Sequence, residues 1–497
     1  MGAGRVDQRF DLVVIGGGPA GVTAALRARE LDATVALVER GSLGGTCTND
    51  GCVPTRVLAR AARLLRDAEQ YSEYGLTGEV PVLDFRQLLD RAQRTVYRVH
   101  EKKQLLGHLV QAGVEVRDEV DGARFAERET LQLGTGERIT GDRFLICAGG
   151  HARRLSLPGA ELALTHSDIW GMSSLPGSVA IVGGAATGCQ LASVFAAFGS
   201  QVTLLDLAPR LVPGEDELVS EVLTAAFRAR GMTVETGIGG LTALEKTAGG
   251  LTLRYAAEGA GGSGPALEVD TVVFAVGWPG NLEALGLDVP GVETERGYVV
   301  VDDELRTSAP HVWAAGDITG RMMLVQSAAQ EARAAAENAL AVGDGRRHLH
   351  RVVPHGGFTD PEYGSVGLAE MQAAATEDVV AAVVPYAELD RAVIDGHPDG
   401  ACKLIASRRT GLLLGCHVVG EQAVEVVQIV AAGIAAGMTV RALAELQLAY
   451  PTFTAIVGLA ARRIVGELEP AAASREWQAL GSAAEWERRA TDVSAMP

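Results

Sequence analysis

The chain has 497 residues, of which 47% are hydrophobic and 5% aromatic, and a formal net charge of −18 at pH 7. This length indicates three or more domains with well-filled cores. Nucleic acids and anionic membranes are excluded as favoured partners, because both would repel a chain of this charge. No signal-peptide pattern opens the sequence and no uncharged apolar run is long enough to span a bilayer, so we expect a protein of the reducing cytoplasm.

The first predicted elements form a βαβ unit. An apolar strand over 12–15 leads into a glycine-rich loop and a helix over 22–31, and a second strand ends at Glu39. This order is the fingerprint of a dinucleotide-binding fold, whose glycines permit a tight turn, approach of the backbone to a pyrophosphate, and close packing of helix on strand. Glu39 is placed to accept hydrogen bonds from ribose hydroxyls. The loop residues expected at the cofactor are Gly16, Gly18, Pro19, Ala20 and Gly21.

A pair of cysteines follows in the segment GGTCTNDGCVPTR, residues 44–56. Cys47 and Cys52 form a C-x4-C pair with no second pair at zinc-finger spacing, so the four ligands of a zinc site are missing and no resident metal is expected. In a reducing compartment, a close pair beside a dinucleotide indicates a redox-active thiol pair. A helix beginning after Cys47 would favour a thiolate. The remaining cysteines stand alone in apolar or glycine-rich runs and are predicted to be buried; they are Cys147, Cys189, Cys402 and Cys416.

A second βαβ unit repeats the pattern. A strand over 179–182 precedes the loop GGAATG, a helix follows, and a strand over 202–205 ends at Asp206. Ala185 replaces the middle glycine, so its methyl group is expected to crowd the pyrophosphate and weaken or displace the nucleotide. Asp206 favours free ribose hydroxyls over a 2′-phosphate, and therefore NAD over NADP, with only Arg210 close behind it. The residues predicted for this second site are Gly183, Ala185, Gly188, Gln190, Asp206 and Gly277.

The pattern of predicted strands and helices changes after Pro354. Two apolar strands that end at glycine, over 144–150 and 272–278, are predicted to close the two nucleotide domains, and 258–265 is predicted as a flexible loop inside the second. Beyond Pro354, strands alternate with alanine-rich helices, which indicates an independent α/β domain whose apolar helices fit either a subunit interface or packing within one chain. These strands are predicted over 402–406 and 412–419, and the helices over 424–436 and 453–465.

Two further runs complete a known pattern, namely TSAPHVWAAGD at 307–317 and FTDPEYGSVGL at 358–368. With these runs, the two fingerprints and the cysteine segment, the chain resembles the flavoprotein disulfide reductases, which include dihydrolipoamide dehydrogenase, glutathione reductase and mercuric reductase. The resemblance implies an α/β fold with two Rossmann-like domains, for FAD and NAD, and a C-terminal α+β domain that forms a homodimer. The implied domains are 9–155 and 279–348 for FAD, 156–278 for NAD(P), 349–466 for dimerisation, and a tail over 467–497.

The resemblance also implies roles for individual residues. Cys52 would face the flavin and form the charge-transfer contact, while Cys47 would exchange with substrate. Asp317 would touch the ribityl and phosphate region of the flavin, and residues 323–325 would lie under the isoalloxazine. The further cofactor contacts assigned to this chain are Arg40, Gly45, Thr46, Gly122, Ala123, Ala148, Gly149, Gly316, Met323, Leu324 and Val325.

The chain departs from the thiol-reducing members at the segment Tyr450-Pro451-Thr452. Those members place a histidine base at the first position, contributed across the dimer interface, and a glutamate three residues past the threonine that orients it. Here the two positions are Tyr450 and Ala455, so both halves of the acid/base pair are replaced. A phenol titrates near pH 10, against about 6.5 for histidine, and is a poor base at pH 7, so rapid turnover of dihydrolipoamide is not expected. The alternative for Tyr450 is a packed interface aromatic.

Two other comparisons bear on function. Mercuric reductase also has a tyrosine at this position, but its second cysteine pair near the C-terminus has no counterpart, because no cysteine follows Cys416. The family commonly has lysine after the cysteine motif and glutamate in the second fingerprint helix; here they are Arg56 and Gln190. A positive charge at Arg56 without its carboxylate partner is expected to favour an anionic reduced flavin.

These patterns predict an enzyme that passes electrons from NADH, through FAD and the cysteine pair, to a disulfide or another small-molecule acceptor. A quinone, a metal ion or mercuric ion are alternatives that need no histidine base. A second alternative is a redox-sensing flavoprotein without turnover, which Ala185, Ala186 and Gln190 in the second fingerprint would suit.

Overall fold

The structure is a computed structural model and describes residues 9–256, 264–341 and 350–469, together with Gly345 and Arg347. The described chain forms two compact units, 9–207 with 235–351, and 208–234 with 352–469. Most of the predicted loop over 258–265 lies outside the described residues, and so does the predicted tail over 467–497 from residue 470 onward. None of the described helices combines the length and apolar character needed to cross a membrane.

The strands and helices are numbered in chain order. The strands are β1 (Arg9–Phe10), β2 (Leu12–Ile15), β3 (Val35–Val38), β4 (Glu115–Arg117), β5 (Ala123–Glu127), β6 (Thr130–Leu133), β7 (Arg138–Gly141), β8 (Phe144–Ile146), β9 (Ser178–Val182), β10 (Gln201–Asp206), β11 (Thr233–Thr236), β12 (Gly240–Thr247), β13 (Gly250–Ala256), β14 (Ala266–Val269), β15 (Thr271–Phe274), β16 (Thr294–Glu295), β17 (Tyr298–Val299), β18 (Val312–Ala314), β19 (His355–Gly357), β20 (Tyr363–Gly367), β21 (Val379–Pro385), β22 (Ala401–Ser407) and β23 (Leu413–Val419). The α-helices are α1 (Pro19–Glu30), α2 (Gly45–Asn49), α3 (Cys52–Glu69), α4 (Phe85–Lys103), α5 (Leu105–Gln111), α6 (Ala186–Ala197), α7 (Glu217–Ala229), α8 (Val325–Ala339), α9 (Glu370–Ala374), α10 (Asp390–Ile394), α11 (Ala423–Ala435), α12 (Val440–Glu445) and α13 (Ala455–Leu468).

The first nucleotide-type sheet has the strand order β18-β8-β2-β3-β4, and its neighbours all run parallel. Its central strands are continuous apolar runs, LVVI in β2 and VALV in β3, and every residue of both is buried. Such runs are typical of a parallel sheet covered on both faces, because neither face is left to polar side chains. Helices α1 and α8 pack against each other and against strands of this sheet.

The second nucleotide-type sheet, β11-β10-β9-β15, repeats the design of the first. Strands β10 and β15 flank β9 in parallel, and α6 packs on β9 and β10 as α1 packs on β2 and β3. The predicted strands of both βαβ units are confirmed, with β2 as predicted and β9 and β10 longer by one or two residues. Smaller sheets complete this unit, with strand orders β1-β7-β6-β5, β12-β13-β14 and β16-β17.

The other unit is built on one antiparallel sheet with the order β19-β20-β23-β22-β21. Side chains alternate between its two faces, as they do in any strand. One face carries Cys402, Leu404 and Ala406, which join a hydrophobic core with residues of α11, α12 and α13. The opposite face carries Ser365 and Lys403, which bond to acidic residues just before α7. The predicted α+β character of the C-terminal part is confirmed.

Candidate active site

The glycine-rich loop after β2 has the tight backbone that its sequence predicts. Gly16 has φ +108°, and a Cβ built there would lie 2.3 Å from the Cys147 carbonyl oxygen. A Cβ on Gly21 would lie 1.7 Å from the carbonyl oxygen of Gly16. No side chain fits at either position, because the loop backbone passes close to the segment that follows β8 and to the start of α1. Pro19 opens that helix, Gly18 precedes it as N-cap, and Ala20 is buried in its first turn.

Glu39 directly follows β3 and lies beside this loop. Its carboxylate accepts from the Gly17 N–H across 2.6 Å and from the Gly41 N–H across 2.8 Å. The Val120 N–H donates to the Glu39 carbonyl, which brings the segment containing Gly122 and Ala123 toward the same strand end. Arg40 follows Glu39 and is exposed. The structure therefore brings together the predicted acid and the predicted glycine loop.

The cysteine segment is hydrogen-bonded to that loop through the backbone. The Gly44 N–H donates to the Gly17 carbonyl across 2.8 Å. Gly45 has φ +61°, and a Cβ there would lie 2.8 Å from the Cα of Gly18. This backbone-on-backbone approach requires glycine at Gly45. The first cysteine then follows two residues later, so the thiol pair lies beside the nucleotide loop as predicted.

The two cysteines occupy different helices. Thr46 and Cys47 lie in the short helix α2, whereas Cys52 is the first residue of α3. The helix expected after Cys47 therefore begins at Cys52 itself, and its exposed N–H groups lie at Cys52 rather than at Cys47. Cys47 is half-buried and Cys52 is exposed, and both are free thiols.

The two thiols hydrogen-bond to each other, and this contact separates their acidities. The bond from Cys47, together with the backbone N–H of Cys52, outweighs burial and lowers the pKa of Cys52 to about 7. The same bond and burial raise the pKa of Cys47 well above its usual range. The positive charge of Lys103 lowers both pKa values and the negative charge of Asp317 raises both. At neutral pH Cys52 is therefore close to its midpoint and carries the thiolate of the reduced pair, while Cys47 stays a thiol.

Two residues between the cysteines are held by α4. The Lys103 ammonium donates to the Thr48 hydroxyl across 3.0 Å, and the side chain of Thr48 is fully buried. His100 Nε2 lies 2.5 Å from Asn49 Oδ1. Both anchors lie in the last turn of α4. The connection between the thiols is thus fixed from one side by a single helix end.

Asp50 fixes the same loop from another side. Its carboxylate accepts from Ser167 Oγ across 2.5 Å and from Trp170 Nε1 across 2.8 Å, and it lies 3.3 Å from His166 Nε2. Burial would raise the pKa of Asp50, but the hydrogen bonds from His166 and Ser167 outweigh it and keep that pKa below its usual value. Asp50 therefore remains a carboxylate at neutral pH.

Asp317 stands at the end of β18, after Gly316. The Trp278 indole N–H donates to its carboxylate across 3.0 Å, while burial raises its pKa. The Gly316 N–H donates to the fully buried Glu331 across 2.6 Å. Leu324 is the N-cap of α8, with Met323 before it and Val325 as the first helical residue, so the predicted trio forms the start of that helix.

Ala148 and Gly149 follow β8 at the same edge of the first sheet. The side chain of Asn281 donates to the Ala148 carbonyl across 2.7 Å, and the Asn281 N–H donates to the Gly149 carbonyl. These contacts tie the end of β8 to the segment after β15. Asn281 was not singled out by the sequence, and it supports two residues that were.

The second glycine loop has the same backbone features as the first. Gly183 has φ +106°, a Cβ there would lie 2.3 Å from the Ala275 carbonyl oxygen, and a Cβ on Gly188 would lie 1.7 Å from the Gly183 carbonyl oxygen. Ala185 has φ −81° and ψ −173°, close to the −73° and −174° of Gly18, so alanine causes no backbone strain there. The predicted crowding of the pyrophosphate by its methyl group stays a prediction.

Asp206 and Gln190 occupy the positions expected from their spacing. The Gly184 N–H donates to the Asp206 carboxylate, which reproduces the Gly17–Glu39 contact of the first loop. Gln190 donates to the Ala186 carbonyl within α6. Gly277 follows β15 with φ +127°. Arg56, in the second turn of α3, is half-buried, and α3 packs against α6.

Tyr450 belongs to the other unit. It is 77% exposed, and its hydroxyl donates to Asp390 Oδ2 across 2.5 Å, which raises the pKa of the phenol. Its peptide bond to Pro451 is cis. The tyrosine is therefore an exposed donor bound to a carboxylate, the reverse of a general base. The alternative, a packed interface aromatic, stays a prediction.

Sequence reasoning missed the polar anchors of the cysteine loop. Asp50 lies inside the quoted motif, and its acidic character between two cysteines was the available signal. Lys103 and His166 carry no local signal, because they lie 55 and 116 residues from their partners Thr48 and Asp50. Trp278 likewise lies 39 residues before its partner Asp317. No cluster of three or more metal-ligating side chains occurs among the described residues.

Comparison with known proteins places this geometry in a family. A family model described as pyridine nucleotide-disulphide oxidoreductase matches residues 10–332, and the dimerisation-domain model of the same family matches 353–461. Dihydrolipoyl dehydrogenase of Zymomonas mobilis is 33% identical over 437 residues, covering 85% of this chain and 90% of that protein. Mercuric reductase of Staphylococcus aureus is 31% identical over 460 residues, covering 92% and 82%.

A solved structure is also similar over nearly the whole chain. It is the HOCl-induced flavoprotein disulfide reductase RclA from Escherichia coli, with a TM-score of 0.79 and 26% identity, covering 91% of this chain and 99% of that one. A second structure, with the same TM-score and identity, is the Cu(II) complex of RclA.

Proposed function

Because the chain belongs to the pyridine nucleotide-disulphide oxidoreductase family, we propose that it oxidises NADH and delivers the electrons through the Cys47–Cys52 pair to a disulfide or another small acceptor. The family and its relatives make the chain an FAD-dependent oxidoreductase. The observation that carries the proposal is the hydrogen bond from the Gly44 N–H to the Gly17 carbonyl, which holds a hydrogen-bonded thiol pair directly beside a glycine loop of nucleotide-binding type.

The residues around the first loop fit FAD. Gly16 and Gly21 leave a backbone cradle that a Cβ would fill, and the Glu39 carboxylate stands at the end of β3 where a ribose is expected. Asp317 and the start of α8 would hold the other half of the cofactor. Bound FAD would supply two-electron exchange between a nicotinamide and the neighbouring sulfurs.

The two cysteines take different parts in the remaining chemistry. Reduction of its disulfide breaks one S–S bond and leaves, after uptake of one proton, a thiolate on Cys52 and a thiol on Cys47. The pKa of about 7 for Cys52 makes that split available at neutral pH. Exchange with an acceptor disulfide would begin at Cys47 once its proton passes to Cys52 or to solvent, and would end with the pair oxidised again.

NADH is the proposed donor. Asp206 presents a carboxylate at the end of β10, where a 2′-phosphate would be repelled. Arg210, the cation nearest in sequence, donates to Ser220 Oγ and to the carbonyls of Pro213 and Glu215, so its guanidinium is engaged in its own segment. Neither residue supports binding of a 2′-phosphate.

The residue that replaces the missing histidine bears on the class of acceptor. Tyr450 donates to Asp390 and its pKa is raised, so it does not accept a proton from a dithiol substrate at pH 7. This favours acceptors that need no base, and a metal ion or a quinone is the second candidate function. Of these two acceptors the metal ion is favoured, because mercuric reductase and the Cu(II) complex of RclA are among the similar proteins.

The test is NADH oxidation by the purified holoenzyme against disulfides, quinones, Cu(II) and Hg(II), with Cys47→Ser beside wild type. We expect anaerobic bleaching of the flavin by NADH in both proteins. Disulfide reduction should vanish in Cys47→Ser, whereas reduction of an acceptor that takes electrons directly from the flavin should survive. Flavin that NADH and NADPH both leave oxidised would overturn the proposal and support a sensor without turnover.

A homodimer is part of the proposal. The match of residues 353–461 to a dimerisation domain supports it, as does the group of exposed apolar side chains in that unit, such as Val393, Ile394 and Leu446. Sedimentation or light scattering of the holoenzyme at several concentrations would check the mass, and a monomer at micromolar concentration would contradict this part.

A further inference from the structure

The loop between the redox cysteines carries a lysine that the proposed reaction does not yet use. Lys103 is the last residue of α4, and its ammonium donates to the hydroxyl of Thr48 across 3.0 Å. Thr48 directly follows Cys47 and is fully buried. A long, exposed lysine has many other rotamers open to it, so the bond to a buried hydroxyl fixes the position of a positive charge at this loop.

We propose that Lys103 is a positioning residue for the thiol pair, whose ammonium, held on Thr48, stabilises the thiolate that forms when the Cys47–Cys52 disulfide is reduced. The inference rests on the proposed function, because it assigns Lys103 to the reduced state of that same pair. It predicts a role for a residue 51 positions beyond Cys52, outside the cysteine motif.

The charges that face the pair support this role. Asp317 is the acid that acts on both thiols, and its negative charge disfavours a thiolate. Lys103 acts on both with the opposite sign. Of the other polar groups on the elements packed here, His100 is bonded to Asn49, and Asp50 is bonded to Ser167, Trp170 and His166. Arg56 lies one turn into α3.

The consequence concerns the driving force of the reaction. Any group that stabilises the reduced pair relative to the disulfide makes the pair easier to reduce and a weaker reductant toward the acceptor. Lys103 would therefore favour the step that loads electrons onto the sulfurs. The backbone N–H groups at the start of α3 act in the same direction on Cys52.

The experiment uses the Cys47→Ser holoenzyme, in which Cys52 is the one remaining thiol of the pair. Two readouts are followed against pH: the ultraviolet absorbance of the thiolate, and the long-wavelength charge-transfer absorbance with oxidised FAD. Lys103→Met added to this background should move the midpoint of both titrations upward by about half a pH unit or more, because the nearby positive charge is lost. Lys103→Arg should restore most of the shift.

The matched control is Lys102→Met in the same background, which removes an identical charge one residue away on the exposed surface of α4. Thr48→Val, which removes the anchoring hydroxyl but leaves the ammonium, should give a smaller upward shift than Lys103→Met. Equal midpoints for the Lys103→Met and Lys102→Met proteins would overturn the inference.

The two proposals fail in different ways. A Cys47→Ser protein without charge-transfer absorbance at any pH would contradict the place of Cys52 beside the flavin, and hence the proposed function. The ultraviolet thiolate titration would still report whether Lys103 acts on Cys52. Charge transfer that is present but insensitive to Lys103 would leave the function in place and remove the inference alone.

Discussion

Trp278 donates its indole N–H to the Asp317 carboxylate across 3.0 Å, and its ring lies 5.3 Å from that of His166. His166 in turn lies 3.3 Å from the Asp50 carboxylate, between the two cysteines. A continuous line of contacts therefore joins the cysteine loop to the acid expected at the flavin. Neither Cys47 nor Cys52 is a member of this line of contacts.

Trp278→Phe should weaken FAD binding. The change keeps an aromatic ring but removes the hydrogen bond that holds the Asp317 carboxylate, which burial already makes less acidic. A hydrogen bond to a charged group contributes about 1.5 kcal/mol or more, so the dissociation constant should rise about tenfold. Reconstitution of apoprotein with FAD, followed by flavin fluorescence, measures it. Tyr298→Phe is the control, because it removes a bond to the Trp278 carbonyl instead; equal losses in both would contradict the assignment.

Gly45→Ala should abolish or greatly reduce flavin retention. Gly45 and Gly75 both have positive φ, +61° and +69°, so alanine costs about 1 kcal/mol of backbone strain at either position. Only at Gly45 does the new methyl group meet another backbone, at 2.8 Å from the Gly18 Cα, whereas nothing lies within 4 Å at Gly75. The flavin-to-protein absorbance ratio after purification checks the difference. Flavin content as high in Gly45→Ala as in Gly75→Ala would show that the two loops do not depend on their close approach.

Asp206→Ala should reduce the preference for NADH. The variant loses the carboxylate that repels a 2′-phosphate and accepts from a ribose. Loss of a hydrogen bond to a charged group lowers kcat/KM for the affected nucleotide about tenfold. The ratio of kcat/KM for NADH to that for NADPH should therefore fall at least about tenfold. Asp270→Ala, at the opposite end of the same sheet, where the carboxylate accepts from the Ser178 N–H, is the control and should keep the wild-type ratio. An unchanged ratio in Asp206→Ala would contradict the assignment of the donor.

Lys403→Met should destabilise the C-terminal unit by about 3 kcal/mol, because it leaves a buried carboxylate without its cation. The Lys403 ammonium lies 2.8 Å from both Asp216, which is 2% exposed, and Glu370. Urea unfolding at pH 7 measures the loss, and Lys246→Met on the exposed side of β12 should be within about 0.5 kcal/mol of wild type.

The pH dependence of this pair has a definite sign. Burial raises the pKa of Asp216, but hydrogen bonds from the Glu370 N–H and Lys403 outweigh it and lower the net value. A lowered pKa in the folded state stabilises the fold above the unfolded value of about 4, and that stabilisation is lost as the pH falls through the folded value. The difference in unfolding free energy between wild type and Lys403→Met should therefore narrow below pH 4. A difference that is constant down to pH 3 would contradict the assignment.

The two nucleotide-type folds could be predicted because their signals are local. In each βαβ unit the glycines whose backbone leaves no room for a side chain lie within six residues of one another. The acid follows them at the same distance along the chain in both. Strand, loop and helix are neighbours in sequence, so their packing follows from chain order.

The contacts that tune the thiols could not be predicted, because they join distant segments. Lys103 is 55 residues from Thr48, and Trp170 is 120 residues from Asp50. Polar side chains on exposed helix ends have no periodic signature, so only the tertiary structure decides which partner each one meets. The same limit applies to Cys402 and Cys416, which stand alone in sequence but bring their sulfurs to 3.9 Å on adjacent strands.

Burial of four of the six cysteines has a practical consequence for chemical labelling. Cys147, Cys189, Cys402 and Cys416 are all at most 6% exposed, whereas Cys47 and Cys52 lie outside the hydrophobic cores. A maleimide or arsenical reagent applied to the folded protein should therefore report the redox state of one site alone. The native chain can be followed by mass tagging in a cell extract without first replacing its other sulfurs.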